Sequence, residues 1–162
     1  MTKAFAHQLK SLKHDLTTDI VFDTSDPGTG KTFVAIKAFE RRRKKKSGCA
    51  LILAPKSLLR STWAADFKKF APALKVVVAT ADVRASTFEQ DADAYVTNID
   101  AVKWLAKQPK AFFKRFETLI VDESSAYKHA TSQRSKAAAK IAAHFKYKRA
   151  MTGTPNGRSI TD

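Results

Sequence analysis

Short apolar runs of strand length recur along the chain: "DIVFD" (19–23), "CALILA" (49–54), "KVVVAT" (75–80), "AYVTNI" (94–99), "TLIVDE" (118–123) and "YKRAMTG" (147–153). Several lack the alternation of a strand with one wet face. A strand that is apolar on both sides must be covered on both sides, the situation of a parallel sheet held between helical layers. The intervening segments read as helices over 31–46, 57–70, 100–115 and 130–145, and strands alternating with helices predict a doubly wound α/β domain. In "SQRSKAAAKIAAHF", Ala137, Ile141 and Phe145 share one face of a strongly helix-forming stretch, which predicts a helix docked on the sheet. With no repeat or Gly/Ser linker in its 162 residues, the chain is expected to be one three-layer domain over 1–162.

Lys and Arg number 30 against 15 Asp and Glu, a formal charge of +15. A field of that sign attracts polyanions, so nucleic acid is the first partner to consider, with a merely solubilising charge as the other reading. Cys49 is the single cysteine, which excludes an intrachain disulfide and a CxxC metal knuckle and suits a reducing, cytoplasmic setting. The apolar runs are far too short to span a bilayer, and no membrane partner is expected. The histidines His7, His14, His129 and His144 show no metal-ligand spacing.

Between the first predicted strand and the first predicted helix lies "SDPGTGKT" (25–32). It matches GxxxxGK[ST] except that Ser25 replaces the first glycine, and it sits in the strand–loop–helix context that a phosphate loop requires. Pro27, Gly28, Thr29 and Gly30 can turn successive backbone N–H groups inward, and the helix start adds its positive end, so the loop cradles polyphosphate. Lys31 would reach the β and γ phosphates, and the Thr32 hydroxyl would hold Mg²⁺. "LIVDESS" (119–125) is an apolar strand ending in two acids. In an open α/β sheet such ends form the ligand crevice; there Asp122 would hold Mg²⁺ and Glu123 would orient and polarise an attacking water.

From Phe5 onward the sequence resembles the first RecA-like lobe of superfamily II helicases and translocases, specifically the Swi-Snf-type ATPases. The resemblance rests on the loop, on "APKSLLRSTWAADFKKFAP" (54–72) with its Trp and following acidic position, on "VDESSAYKHATSQRSKA" (121–137), and on "AMTGTPNGR" (150–158). The family's loop accepts a small residue at the position of Ser25. The resemblance implies ATP and Mg²⁺ as cofactors and DNA, double-stranded by preference, as partner. It implies that Gln8 reads adenine, although a surface glutamine on an N-terminal helix would look the same. Pro55, Lys56, Ser57, Thr97, Asn98 and Thr152 would lie along one strand's backbone, while Ser57 could equally cap the helix whose buried face carries Trp63 and Phe67. Thr152, Gly153 and Thr154 would couple nucleotide state to nucleic acid, together with Ser125, which stands where many relatives have His. The family's arginine finger lies in a second RecA-like lobe, so this lobe alone is expected to turn over slowly or not at all.

Two other readings stay open on the residues alone: a stand-alone P-loop NTPase, although no Asn-Lys-x-Asp guanine motif is present, and a non-catalytic basic nucleic-acid-binding module. The run "RRRKKK" (41–46) ends the helix that starts at the loop, so it should emerge opposite the phosphate site and meet mostly water, with a dedicated DNA contact or a localisation signal as the other reading. Reversing the charge of 41–46 is accordingly expected to leave DNA affinity and its salt dependence unchanged in a titration.

Overall fold

The computed structural model describes residues 20–23, 30–123 and 132–151. Among them, β1 (Ile20–Asp23), β2 (Cys49–Ala54), β3 (Val76–Ala79), β4 (Ala94–Asn98), β5 (Phe116–Asp122) and β6 (Tyr147–Met151) form one sheet in the order β1-β6-β5-β2-β4-β3. Every pairing is parallel. β2 is buried from end to end, and its residues divide between two cores. Leu51 and Leu53 join Tyr95, Leu119, Val121, Ile141 and Phe145 on one face. Ala50, Ile52 and Ala54 join Ile36, Phe39, Trp63 and Phe67 on the other. A strand with no wet face cannot alternate in its sequence, which is why the apolar runs are continuous.

Helix α1 (Lys31–Lys44) follows β1 and buries Phe33, Val34, Ile36 and Phe39. The segment after β2 is wound in three ways: a 3₁₀ turn at Lys56–Leu58, a π-helical stretch at Leu59–Ala64, and helix α2 (Ala65–Phe70). The expected helix over 57–70 is therefore present as a composite. It packs on α1 on the same side of the sheet, with Phe33 and Phe70 in edge contact at 5.0 Å and Lys37 Nζ donating to the Phe70 carbonyl at 2.7 Å.

The expected helix over 100–115 is broken. A 3₁₀ turn (Ile99–Ala101) leads into α4 (Val102–Ala106), and a second 3₁₀ segment (Lys110–Arg115) starts after Pro109. Proline lacks the N–H an α-helix needs and disfavours helical backbone in the residue before it. A helix the sequence did not announce, α3 (Arg84–Phe88), is too short to show a 3.6-residue period and is held by Phe88, stacked at 5.3 Å from Tyr95 and 5.5 Å from Trp104. α5 (Gln133–Ala142) buries Ile141, and Phe145 is buried just past its end, as the predicted face requires, but the buried alanine is Ala138 and not Ala137, which is half-buried. Its start is fixed by Ser132, whose hydroxyl accepts the Ser135 N–H at 3.1 Å. Among the described residues no helix is long and apolar enough to cross a membrane.

The basic run closes α1. The Lys46 N–H donates to the Arg43 carbonyl at 2.9 Å and the Ser47 N–H to the Arg42 carbonyl at 3.1 Å, with Lys46 at φ 65°. That is a Schellman ending with lysine at the left-handed position where glycine is usual. Arg42 lies 4.2 Å over the Tyr147 ring and Arg43 pairs with Asp93 at 2.9 Å, whereas Arg41, Lys44, Lys45 and Lys46 are exposed. The run is thus partly structural rather than wholly solvated. Lys46→Gly should raise stability by about 0.5–1 kcal/mol, the relieved left-handed cost less glycine's greater chain entropy, read as a higher melting temperature.

Candidate active site

The strand register aligns the carboxyl ends that form the crevice of a parallel sheet. Asp23 is level with Met151, Met151 with Asp122, and Ala54 with Asn98. α1 starts on this edge. Gly30 takes the left-handed backbone (φ 82°, ψ 33°) at the helix N-cap, a conformation that costs a glycine little, and its carbonyl accepts the Val34 N–H at 3.1 Å. Among the described residues no side chain caps this end, and its first turn carries no acid. Its positive end is thus not neutralised from within the helix, the arrangement that suits a bound phosphate.

Asp122 closes β5 on the same edge. Burial pushes its carboxyl above the ordinary 3.8. The Trp63 indole N–H, donating to Oδ2 at 2.9 Å, acts in the opposite direction, as does the charge of Lys31, while Glu123 adds to the rise. Glu123 itself sits at φ 61°. A non-glycine residue held left-handed costs about 1–2 kcal/mol, and strain of this kind persists where surrounding structure enforces it, often at functional sites. On the α1 side, the Thr32 hydroxyl donates to Asp66 Oδ2 at 2.8 Å.

Lys31, Thr32, Asp122 and Glu123, expected from the sequence as the nucleotide and metal residues, therefore converge on one edge. Trp63 and Asp66, which engage two of them, were visible only as a buried aromatic and as an acidic position in a motif. Spacing predicts that Trp63 is buried, but not where its N–H points. Among the described residues no three His, Cys, Asp or Glu side chains form a cage for a metal. Mg²⁺ on a nucleotide needs none, because one or two protein oxygens, phosphates and waters complete its shell. A hydroxyl and a carboxylate suit that hard cation, and Thr32 and Asp122 supply them.

At the neighbouring strand ends, Lys56 and Ser57 are exposed and Pro55 is half-buried. Ser57 makes no side-chain cap; its carbonyl accepts the Ser61 hydroxyl at 2.9 Å. Asn98 accepts Arg84 Nη2 at 2.7 Å. Thr97 departs from expectation: its side chain is fully buried and its hydroxyl donates to the Ala79 carbonyl at 2.7 Å, so it ties β4 to β3 and does not face a ligand track. Gln8, Pro27, Gly28, Thr29, Ser125, Thr152, Gly153 and Thr154 lie outside the described residues. An apolar cavity of about 270 Å³, lined by Ile20, Val21, Leu119, Val121, Ala139 and Ala142 among others, lies on the α5 side of the sheet, away from these groups.

The raised Asp122 carboxyl has a sign. The fold disfavours its ionised form, so a penalty is present at pH above its folded value and vanishes below the ordinary 3.8. Asp122→Asn keeps an oxygen for the Trp63 N–H and should melt above the unsubstituted chain at pH 7. The gain should shrink as the pH is lowered toward 3.8, measured by thermal melts across pH.

Known proteins bear on this geometry. The SNF2-related domain family matches residues 9–162. The SWI/SNF-related matrix-associated actin-dependent regulator of chromatin subfamily A-like protein 1 of Xenopus tropicalis is 32% identical over 132 residues, covering 80% of this chain and 13% of that protein. The ATP-dependent helicase FUN30 of Saccharomyces cerevisiae is 31% identical over 140 residues, covering 80% and 12%. This chain thus spans about an eighth of these relatives. Among solved structures, the Sulfolobus solfataricus SWI2/SNF2 ATPase core in complex with dsDNA superposes with a TM-score of 0.78 at 25% identity, covering 95% of this chain and 32% of that one. The UvsW helicase of bacteriophage T4, at TM-score 0.72 and 17% identity over 94% of this chain and 53% of that one, shares the fold. The sheet with its helical layers is a RecA-like α/β fold, and the chain belongs to the SNF2-related domain family, as an ATPase lobe of the superfamily II, Swi-Snf-type helicases.

Proposed function

We propose that this chain is the ATP-binding lobe of a DNA-dependent ATPase that translocates along double-stranded DNA and completes its catalytic site with a second RecA-like lobe. The observation that carries the reading is the meeting of the head of α1 and the end of β5 on one edge: the Thr32 hydroxyl donates to Asp66 at 2.8 Å, and Asp122 accepts at 2.9 Å the N–H of Trp63, three residues from Asp66 on the same helical segment. In the family's relatives named above the corresponding proteins are ATP-dependent helicases or chromatin regulators, which supports ATP as the nucleotide.

In this reading Gly30 and the first N–H groups of α1 bind the phosphates, with Gly28 and its neighbours completing the loop, and Gln8 contacts adenine. Lys31 neutralises the β and γ oxygens. Thr32 and Asp122 would hold Mg²⁺, which supplies further positive charge against the phosphates as the terminal P–O bond breaks. Glu123 orients a water for in-line attack on the γ-phosphorus; the bond from the water oxygen forms, the bond to the β-γ bridging oxygen breaks, and ADP and phosphate leave. Pro55, Lys56, Ser57 and Asn98, at the carboxyl ends of β2 and β4, together with Thr152, face one DNA strand and contact phosphates rather than bases. The double-stranded DNA in the Sulfolobus structure supports that partner. Ser125 and the Thr152–Thr154 segment link the two sites.

Calorimetry with Mg-ATP decides the nucleotide half: binding is expected, and Lys31→Ala should lose it. No heat from the unsubstituted chain, or tighter binding of GTP than of ATP, would falsify the assignment. The isolated chain should show little turnover, because an absent arginine finger costs a factor of about 10³–10⁵. Robust DNA-stimulated hydrolysis by these 162 residues, abolished by Lys31→Ala, would contradict the need for a second lobe.

A further inference from the structure

We infer that Trp63 and Asp66 are paired positioning residues for the metal-bound nucleotide: the indole N–H of Trp63 aims the Asp122 carboxylate, and the carboxylate of Asp66 aims the Thr32 hydroxyl. The inference rests on the reading of Thr32 and Asp122 as the Mg²⁺ residues. It assigns roles to two side chains that touch neither the nucleotide nor the water in that reading.

The pair is built by an irregular helix. Ala65 donates its N–H to the Arg60 carbonyl, five residues back, so the backbone is wound wider at Leu59–Ala64 than in an α-helix. Such π-helical turns cluster at functional sites, because the inserted residue re-aims those around it. Trp63 sits near the end of this stretch and Asp66 just past it, three residues apart, the spacing that places side chains on one helix face. One reaches the end of β5 at 2.9 Å and the other the head of α1 at 2.8 Å. These two elements carry the two halves of the site, and neither hydrogen bond is local in sequence, the partners being 59 and 34 residues apart.

Each contact fits a positioning role chemically. Trp63 is fully buried, so its single N–H has no water to bond, and Asp122 satisfies it while losing rotational freedom about its side chain. A hydroxyl that donates its proton to a carboxylate keeps its oxygen lone pairs for a cation, and the acceptor fixes where they point. Asp66 therefore presents Thr32 as an electron-pair donor. The mounting is stiff: Phe67, one residue on, is buried against Phe39 of α1 with ring centres 6.4 Å apart, and Phe70 closes on Phe33 at 5.0 Å.

The test measures ATP affinity of the 162-residue chain by calorimetry with Mg²⁺ and again with the metal chelated, on Trp63→Phe, Asp66→Ala and Asp66→Asn. Trp63→Phe keeps an aromatic ring and removes the N–H. Thermal melts establish that each variant is folded. Loss of an outer-shell partner of a metal ligand typically weakens metal-dependent binding by about 10–100-fold. Trp63→Phe and Asp66→Ala should each lose at least about tenfold of the affinity that Mg²⁺ adds, with metal-free ATP binding unchanged. Asp66→Asn, which retains an oxygen for the Thr32 hydroxyl, should recover part of that loss. Variants that keep the whole Mg²⁺ gain overturn the inference, as do variants weakened equally with and without metal, which marks a scaffold role. Asp66→Asn behaving like Asp66→Ala overturns it for Asp66, because charge rather than orientation is then what matters. An unsubstituted chain with no Mg²⁺ gain sinks the metal-site reading itself, and this inference with it.

Discussion

β2 has no wet face along its length, and β5 is buried at every position from Thr118 to Val121. Two helical layers follow, since Leu51 and Leu53 need one cover and Ala50, Ile52 and Ala54 another. The strand ends matter too: although Thr97, Thr118 and Arg149 are buried within the sheet, a ligand reaches the strands only at their carboxyl ends. Parallel pairing puts all the carboxyl ends on one edge, so Asp122 from β5, the Lys56–Ser57 segment from β2 and the head of α1 gather there without any one being near another in sequence.

That edge is where the chain departs from its lowest-energy local choices. Asp122 keeps a carboxylate where burial disfavours its charge. Glu123 holds a left-handed backbone that glycine would adopt more cheaply. Among the described residues no side chain caps the head of α1, where Gly30 holds a left-handed backbone. At the other end of the same helix the chemistry is conservative: a Schellman ending, basic residues against the negative helix end, and an arginine paired with Asp93. A buried carboxylate and a left-handed Glu123 at one strand end are what is expected where ligand binding, rather than folding, sets the residues, whereas the left-handed Lys46 at the far end of α1 serves only to close the helix.

The composite helix after β2 shows how a packing element can also serve chemistry. Its apolar side, Trp63 and Phe67, belongs to the core beneath α1. The polar atom of Trp63 and the carboxylate of Asp66 reach past that core to the edge.

The sequence by itself determined the layers and most of the edge. Continuous apolar runs alternating with helical segments indicate parallel strands covered on both faces, although β1 and β3 stand at the sheet's edges, and a glycine loop between a strand and a helix indicates that Lys31 and Thr32 head that helix at the strand ends; those signals are local, and so they are legible. The expected helix over 100–115 breaks because Pro109 outweighs the apolar pattern around it, and α3 leaves no trace in the sequence because five residues carry no period. Tertiary structure alone decided that Thr97 turns inward to Ala79, that Arg42 and Arg43 are held while their neighbours are exposed, and that Trp63 and Asp66 face Asp122 and Thr32. Each of these is a contact between elements distant in sequence, whose direction depends on how two packed helices and a strand register against one another. Periodicity fixes which face of an element is buried, and it carries no information about which atom on that face meets which partner.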